Sequence, residues 1–190
     1  MKGTETRPAS LQRSLPEQEA LTKYGTAENF LVKFSPDMQR MCKRNEMYAV
    51  KGNHPSLVNL DNAFSDGVAE AWLVVQLQDL SEFSGVKDKI SRKQLDQLSQ
   101  IIRDKYYYLK VTELALFFYE YKAGTYGSFY GAVDPIRITE ALQKFMQHRS
   151  ELIDRYDREE AARKEKEYRQ RIKDGKTVTW EQWQEMKNGT

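Results

Sequence analysis

From Thr26 onward, apolar residues recur at intervals of three and four, and no stretch longer than a few residues alternates with period two. Glycines and prolines fall between the periodic segments or in their first two positions. The pattern predicts helices over 26–34, 36–49, 66–83, 91–107, 112–122, 134–172 and 179–187. Segments 66–83 and 112–122 are apolar around most of their circumference, which predicts a central position. Segment 91–107 carries Leu95, Leu98, Ile101 and Ile102 on one side and polar residues on the other, as a covering helix would. No internal repeat marks a solenoid. The expected fold is all-α: an irregular helical bundle with a long charged C-terminal helix and a short terminal helix.

Local start signals support these elements. Ile90-Ser91 with Leu95, Val111-Thr112 with Leu116, Val133-Asp134 with Ile138, and Val178-Thr179 with Trp183 each fit a hydrophobic staple, in which apolar residues before and after the cap clasp the first turn. Gln94 and Gln182 would complete capping boxes with Ser91 and Thr179. Pro135 stands at a first helical position, where its missing N–H is not needed. Residues 1–25, with Pro8, Pro16 and mostly polar side chains, read as a flexible leader with one turn of helix around 17–23.

The long helix changes character along its length. Ile138, Leu142, Phe145, Leu152 and Tyr156 form a roughly heptad stripe that ends near Asp157. Beyond it, acid-then-base pairs four residues apart take over: Glu151–Arg155, Asp154–Arg158, Glu159–Arg163, Glu160–Lys164, Glu165–Arg169 and Glu167–Arg171. At about 0.2–0.5 kcal/mol each, such pairs add on the order of 1–3 kcal/mol to a helix without core contacts. The expected organisation is therefore a leader (1–25), a bundle (26–156) and a charged arm (157–190). Past the break at Asp174-Gly175, Trp180, Trp183 and Met186 line one face of a helix too short to be stable alone. It must form against its own body or in a partner's groove, and these three residues are the candidate protein contact.

The stretch YKAGTYGSFYGAVDP (121–135) combines three glycines with four aromatic rings. A phosphate-binding loop is excluded, because no strand precedes it and no Lys-Ser/Thr follows. Gly124 is expected to end helix 112–122. Tyr126, Phe129 and Tyr130 are expected to plug the end of the bundle, with base stacking as the alternative. The string from Thr112 to Asp154, with Phe117-Phe118, Tyr126-Gly127, Phe129-Tyr130-Gly131 and Asp134-Pro135, resembles a segment of small helical proteins of gut Bacteroidetes phages and mobile elements. The resemblance covers roughly residues 105–155. Some of those proteins are suspected replication accessories, such as helicase loaders. The resemblance implies a non-enzymatic adaptor with a protein partner such as a replicative helicase, and carries over no catalytic residue.

Thirty basic and twenty-eight acidic residues leave a net charge of +2, so any nucleic-acid contact has to come from a local patch. Arg40, Lys43 and Arg44 share a helical face and are the candidate phosphate contacts of that alternative reading. Met38, Met41 and Met47 beside them are expected as packing residues. Catalysis finds little support. His54 and His148 have no partner at metal-ligand spacing, and Cys42, whose basic helix would lower its pKa, has no identifiable base. No cofactor or metal is expected. The absence of a signal-like start, of membrane-length apolar runs and of a second cysteine predicts a cytoplasmic protein.

Overall fold

The computed structural model describes residues 15–175 together with 178, 180, 183, 184 and 187. Among them are nine helices and no strand: α1 (Leu15–Tyr24), α2 (Ala27–Lys33), α3 (Met38–Arg44), α4 (Glu46–Lys51), α5 (Leu57–Ala63), α6 (Val68–Phe83), α7 (Arg92–Lys105), α8 (Val111–Lys122) and α9 (Pro135–Lys173). The all-α class and the long final helix are as the periodicity predicts. The chain divides into two compact units, Met1–His148 and Arg149–Thr190.

In the first unit α8 is the axis. Every residue from Val111 to Phe118 is buried, as are Glu120 and Tyr121. Helices α3, α4 and α6 pack on α8, α7 packs on α6, and α1 packs on α5. Phe30, Phe34, Trp72, Phe117, Phe118 and Phe145 are fully buried and are the largest side chains of the core. Helix α6 differs from expectation. It buries one continuous stripe, including Trp72, Leu73, Leu77 and Leu80, while Val75 and Phe83 face solvent. One group of the core's polar atoms is paired in a chain: the Trp72 indole N–H and Gln76 Nε2 both donate to the Phe34 carbonyl, at 2.7 and 3.1 Å, and Gln39 donates to Gln76 at 2.7 Å.

Three boundaries depart from the sequence reading. The segment 36–49 is two helices, because Asn45 ends α3 and caps α4 by accepting from the Tyr48 N–H at 2.9 Å. Helix α5, unpredicted, is capped by Ser56 and held by backbone bonds from Leu57 and Val58 to the Leu109 and Tyr107 carbonyls. Residues 15–24 are not a loose leader but a helix of ten residues, with Ala20 and Tyr24 buried. Residues 1–14 of the expected leader lie outside the described residues.

The caps vary. Ser91 and Gln94 form the expected capping box on α7. On α8 the cap is Lys110 rather than Thr112, with Glu113 Oε2 accepting from the Lys110 N–H at 2.9 Å, while Thr112 Oγ1 donates to the Ala49 carbonyl at 2.8 Å. The Lys110 ammonium donates to the carbonyls of Val50 and Gly52, both at 3.0 Å. It therefore closes the C-terminus of α4 with the charge that end favours. In the second unit the charged helix ends at Gly175, at φ 67°.

Candidate protein-contact site

In the second unit the residues from 157 to 175 are exposed, except for half-buried Glu160 and Ile172. The i,i+4 design is realised in part. Lys164 meets Glu160 and Arg169 meets Glu165, each at 2.7 Å, whereas Arg163 turns to Glu167 at 3.7 Å, the reverse of the expected order. Arg158 donates to the backbone carbonyl of Asp154 at 3.2 Å. Such exposed pairs support helicity in water and add little else.

Trp180, Trp183, Gln184 and Lys187 are helical, so the indoles lie one turn apart on one face. Their rings stack at 4.9 Å with an interplanar angle of 18°, and the Lys187 ammonium sits over the Trp183 ring at 5.2 Å. Both remain exposed, Trp180 to 63% and Trp183 to 43%. Met186, the third expected contact, lies outside the described residues, as do Thr179 and Gln182 of the expected cap. Each indole has about 150–250 Å² to bury. Covering the remaining half of the pair would contribute on the order of 4–6 kcal/mol of gross hydrophobic free energy at about 25 cal/mol per Å², before the costs of association.

The candidate nucleic-acid residues are less well placed. Arg40 and Arg44 are exposed, but Lys43 reaches inward, to Glu46 at 2.7 Å and to buried Glu120 at 3.0 Å. Burial pulls the Lys43 pKa down, and the hydrogen bonds it donates to the two carboxylates, with their charge, outweigh this and raise it. The three loop rings separate as well. Phe129 stacks on Tyr121 at 5.1 Å and Tyr126 on Phe117 at 5.9 Å, so both plug the bundle as expected. Tyr130 does not: it is 81% exposed, with the Arg137 guanidinium 5.9 Å from its ring centroid.

The loop's course explains this division. Thr125 N–H bonds to the Glu120 carbonyl at 3.0 Å and Gly124 N–H to Tyr121 at 2.9 Å, a Schellman ending that requires the left-handed Gly124 at φ 81°. The turn delivers the Tyr126 hydroxyl to the Glu120 carboxylate, which also takes His148 Nδ1 at 3.0 Å. Burial first, and then the hydrogen bond to Glu120, raise the Tyr126 pKa strongly. This junction of Lys43, Glu120, Tyr126 and His148 joins four segments and was not foreseen in the sequence. Its carboxylate is fully engaged, so it ties segments together rather than offering a base.

Cys42 is fully buried, and burial pushes its thiol up to about 12, the opposite of the activation its basic helix suggested. Among the described residues no group of three metal-ligating side chains is assembled, and no helix is long and apolar enough to cross a membrane.

A family model described as a family of unknown function, DUF6633, matches residues 87–189. No curated protein and no solved structure matches the chain.

Proposed function

We propose, for a chain that belongs to this family of unknown function, that it is a non-enzymatic adaptor whose contact surface is the stacked Trp180–Trp183 pair. The observation that carries the reading is the exposure of two stacked indoles on a short helical stretch beyond the glycine that ends the charged helix. Tryptophan is an enriched hot-spot residue, and a short helix with an apolar face suits a groove on another protein. The matched region 87–189 includes α7, α8, α9 and both tryptophans, and excludes α1–α6 and the Arg40/Arg44 face. The finer role, assisting replication of a phage or mobile element by contacting its helicase in the cytoplasm, rests on the resemblance of residues 105–155 alone.

The test uses the full chain and a purified replicative helicase in a calorimetric titration. The expected result is binding that Trp180→Ala/Trp183→Ala weakens at least a hundredfold while the circular dichroism spectrum is unchanged. Equal binding by the double variant would overturn the contact. Retarded migration of DNA or RNA that fades steeply with added salt, through Arg40 and Arg44, would favour direct nucleic-acid binding instead.

A further inference from the structure

One ring of the 121–135 loop stays outside the bundle, and its backbone is anchored there. Tyr130 is exposed, yet the loop beyond it is tied twice to Asp88: the Asp88 N–H donates to the Gly131 carbonyl at 3.4 Å, and the Val133 N–H donates to the Asp88 carbonyl at 3.0 Å. Val133 is buried, and Gly131 at φ 77° makes the turn between the ring and that anchor. A projecting aromatic side chain on an anchored backbone has little further freedom to lose on binding.

An open groove of about 320 Å³ lies between α7 and the first turns of α9. Buried Leu98 and Tyr106 form its floor, and Ile101 and Ile136 are apolar walls that the single chain leaves exposed. Arg137, the neighbour of Ile136, brings its guanidinium to 5.9 Å from the Tyr130 ring centroid, so ring and groove adjoin on the surface of the first unit. Gln97 and Gln143 contribute exposed amides, and no carboxylate is among the lining residues. The one charged group there is Lys105, whose ammonium lies 5.5 Å from the Tyr106 centroid and meets no acid among the described residues.

The groove and the ring match in chemistry. A tyrosine brings an apolar ring for Ile101 and Ile136, a hydroxyl for the amides of Gln97 or Gln143, and a π face for the ammonium of Lys105. Arg137 stands over one face of the Tyr130 ring, and the exposure of the ring leaves the other face to a second cation. A carboxylate-rimmed groove would suit a basic partner and a cluster of cations an acidic one; this groove is neither. A surface that carries a projecting ring beside a groove of matching chemistry is complementary to itself, which is the condition for a two-fold contact between identical chains.

We propose that the face formed by Tyr130, α7 and the start of α9 binds a second copy of this chain, Tyr130 of each copy entering the groove of the other. The two-fold axis passes between ring and groove. All these residues lie in the first unit, so the contact goes beyond the adaptor reading and does not involve the tryptophan pair. Tyr130, Ile101 and Ile136 give each copy a small apolar centre against the roughly 800 Å² per partner of a standard interface. The dimer is therefore weak, with a dissociation constant on the order of tens of micromolar.

Sedimentation velocity of the full-length protein, from about 5 µM to about 1 mM, brackets that range. The expected result is a sedimentation coefficient that rises with concentration from the monomer value to that of a dimer. Tyr130→Ala and, separately, Ile136→Lys weaken the association at least about tenfold with the circular dichroism spectrum unchanged, since both side chains are exposed. Trp180→Ala/Trp183→Ala associates as the parent does. A protein that stays monomeric throughout overturns the proposal and leaves the groove to a different molecule. So does a Tyr130→Ala protein that associates as the parent does. An association that the tryptophan variant abolishes overturns it as well, by assigning self-contact to the second unit. Should Ile136→Lys unsettle the start of α9, Tyr130→Ala, which removes an exposed ring, decides alone.

Discussion

At the scale of single residues, the molecule turns on groups buried without charge or buried with full pairing. His54 is of the first kind. Its unfolded form takes up a proton near pH 6.5 and its folded form only near pH 4, so the stability it contributes is complete above 6.5 and lost as pH falls towards 4. The loss expected across that window is on the order of 3 kcal/mol. Urea unfolding at pH 7 and pH 4.5 should show His54→Phe losing less stability between the two than the parent chain. Glu120 is of the second kind. Removing its carboxylate with Glu120→Ala leaves the half-exposed Lys43 with Glu46 alone and takes the shared carboxylate from the Tyr126 hydroxyl and His148 Nδ1. A loss of about 3 kcal/mol is expected, against about 1 kcal/mol for Tyr126→Phe, both read from denaturant midpoints. Neither cluster could be read in the sequence. Glu120 meets Lys43 across 77 positions and His148 across 28, and pairing at that range depends on how helices pack, not on any local pattern.

At the scale of elements, the sequence was legible where the signal is contained within one turn. The Ser91–Gln94 box and the glycine ending of α8 are of this sort, and both stand where spacing put them. Two Gly and Ser variants test those ends. Gly124→Ala meets no atom within 4 Å, so its expected cost of about 1–2 kcal/mol is backbone strain alone. Ser91→Ala should cost about 1 kcal/mol through the lost cap. Legibility failed for α5, seven residues that no predicted segment covers, and for the break at Asn45 that divides the 36–49 segment into α3 and α4. Helix α1 reads as a leader because its own amphipathicity is weak, and what orders it is contact with α5.

At the scale of the whole molecule, the division at His148/Arg149 falls inside a single helix, α9. The sequence locates the change of character near Asp157, where the apolar stripe ends, because composition registers the loss of burial and not the compactness of each part. Since the residues from 157 to 175 are almost all exposed, a chain ending at residue 156 should unfold at a denaturant midpoint within about 0.5 kcal/mol of the parent. A larger drop would show that the first unit depends on the removed segment.

The stacked indoles carry one more consequence. Two parallel aromatic chromophores 4.9 Å apart couple their electronic transitions, so the terminus has an optical signature of its own, distinct from that of sequestered Trp72. A binding protein that slides over the pair as a unit would preserve that coupled band, and one that inserts between the rings would erase it. Dichroism alone would then tell a clamp from a wedge.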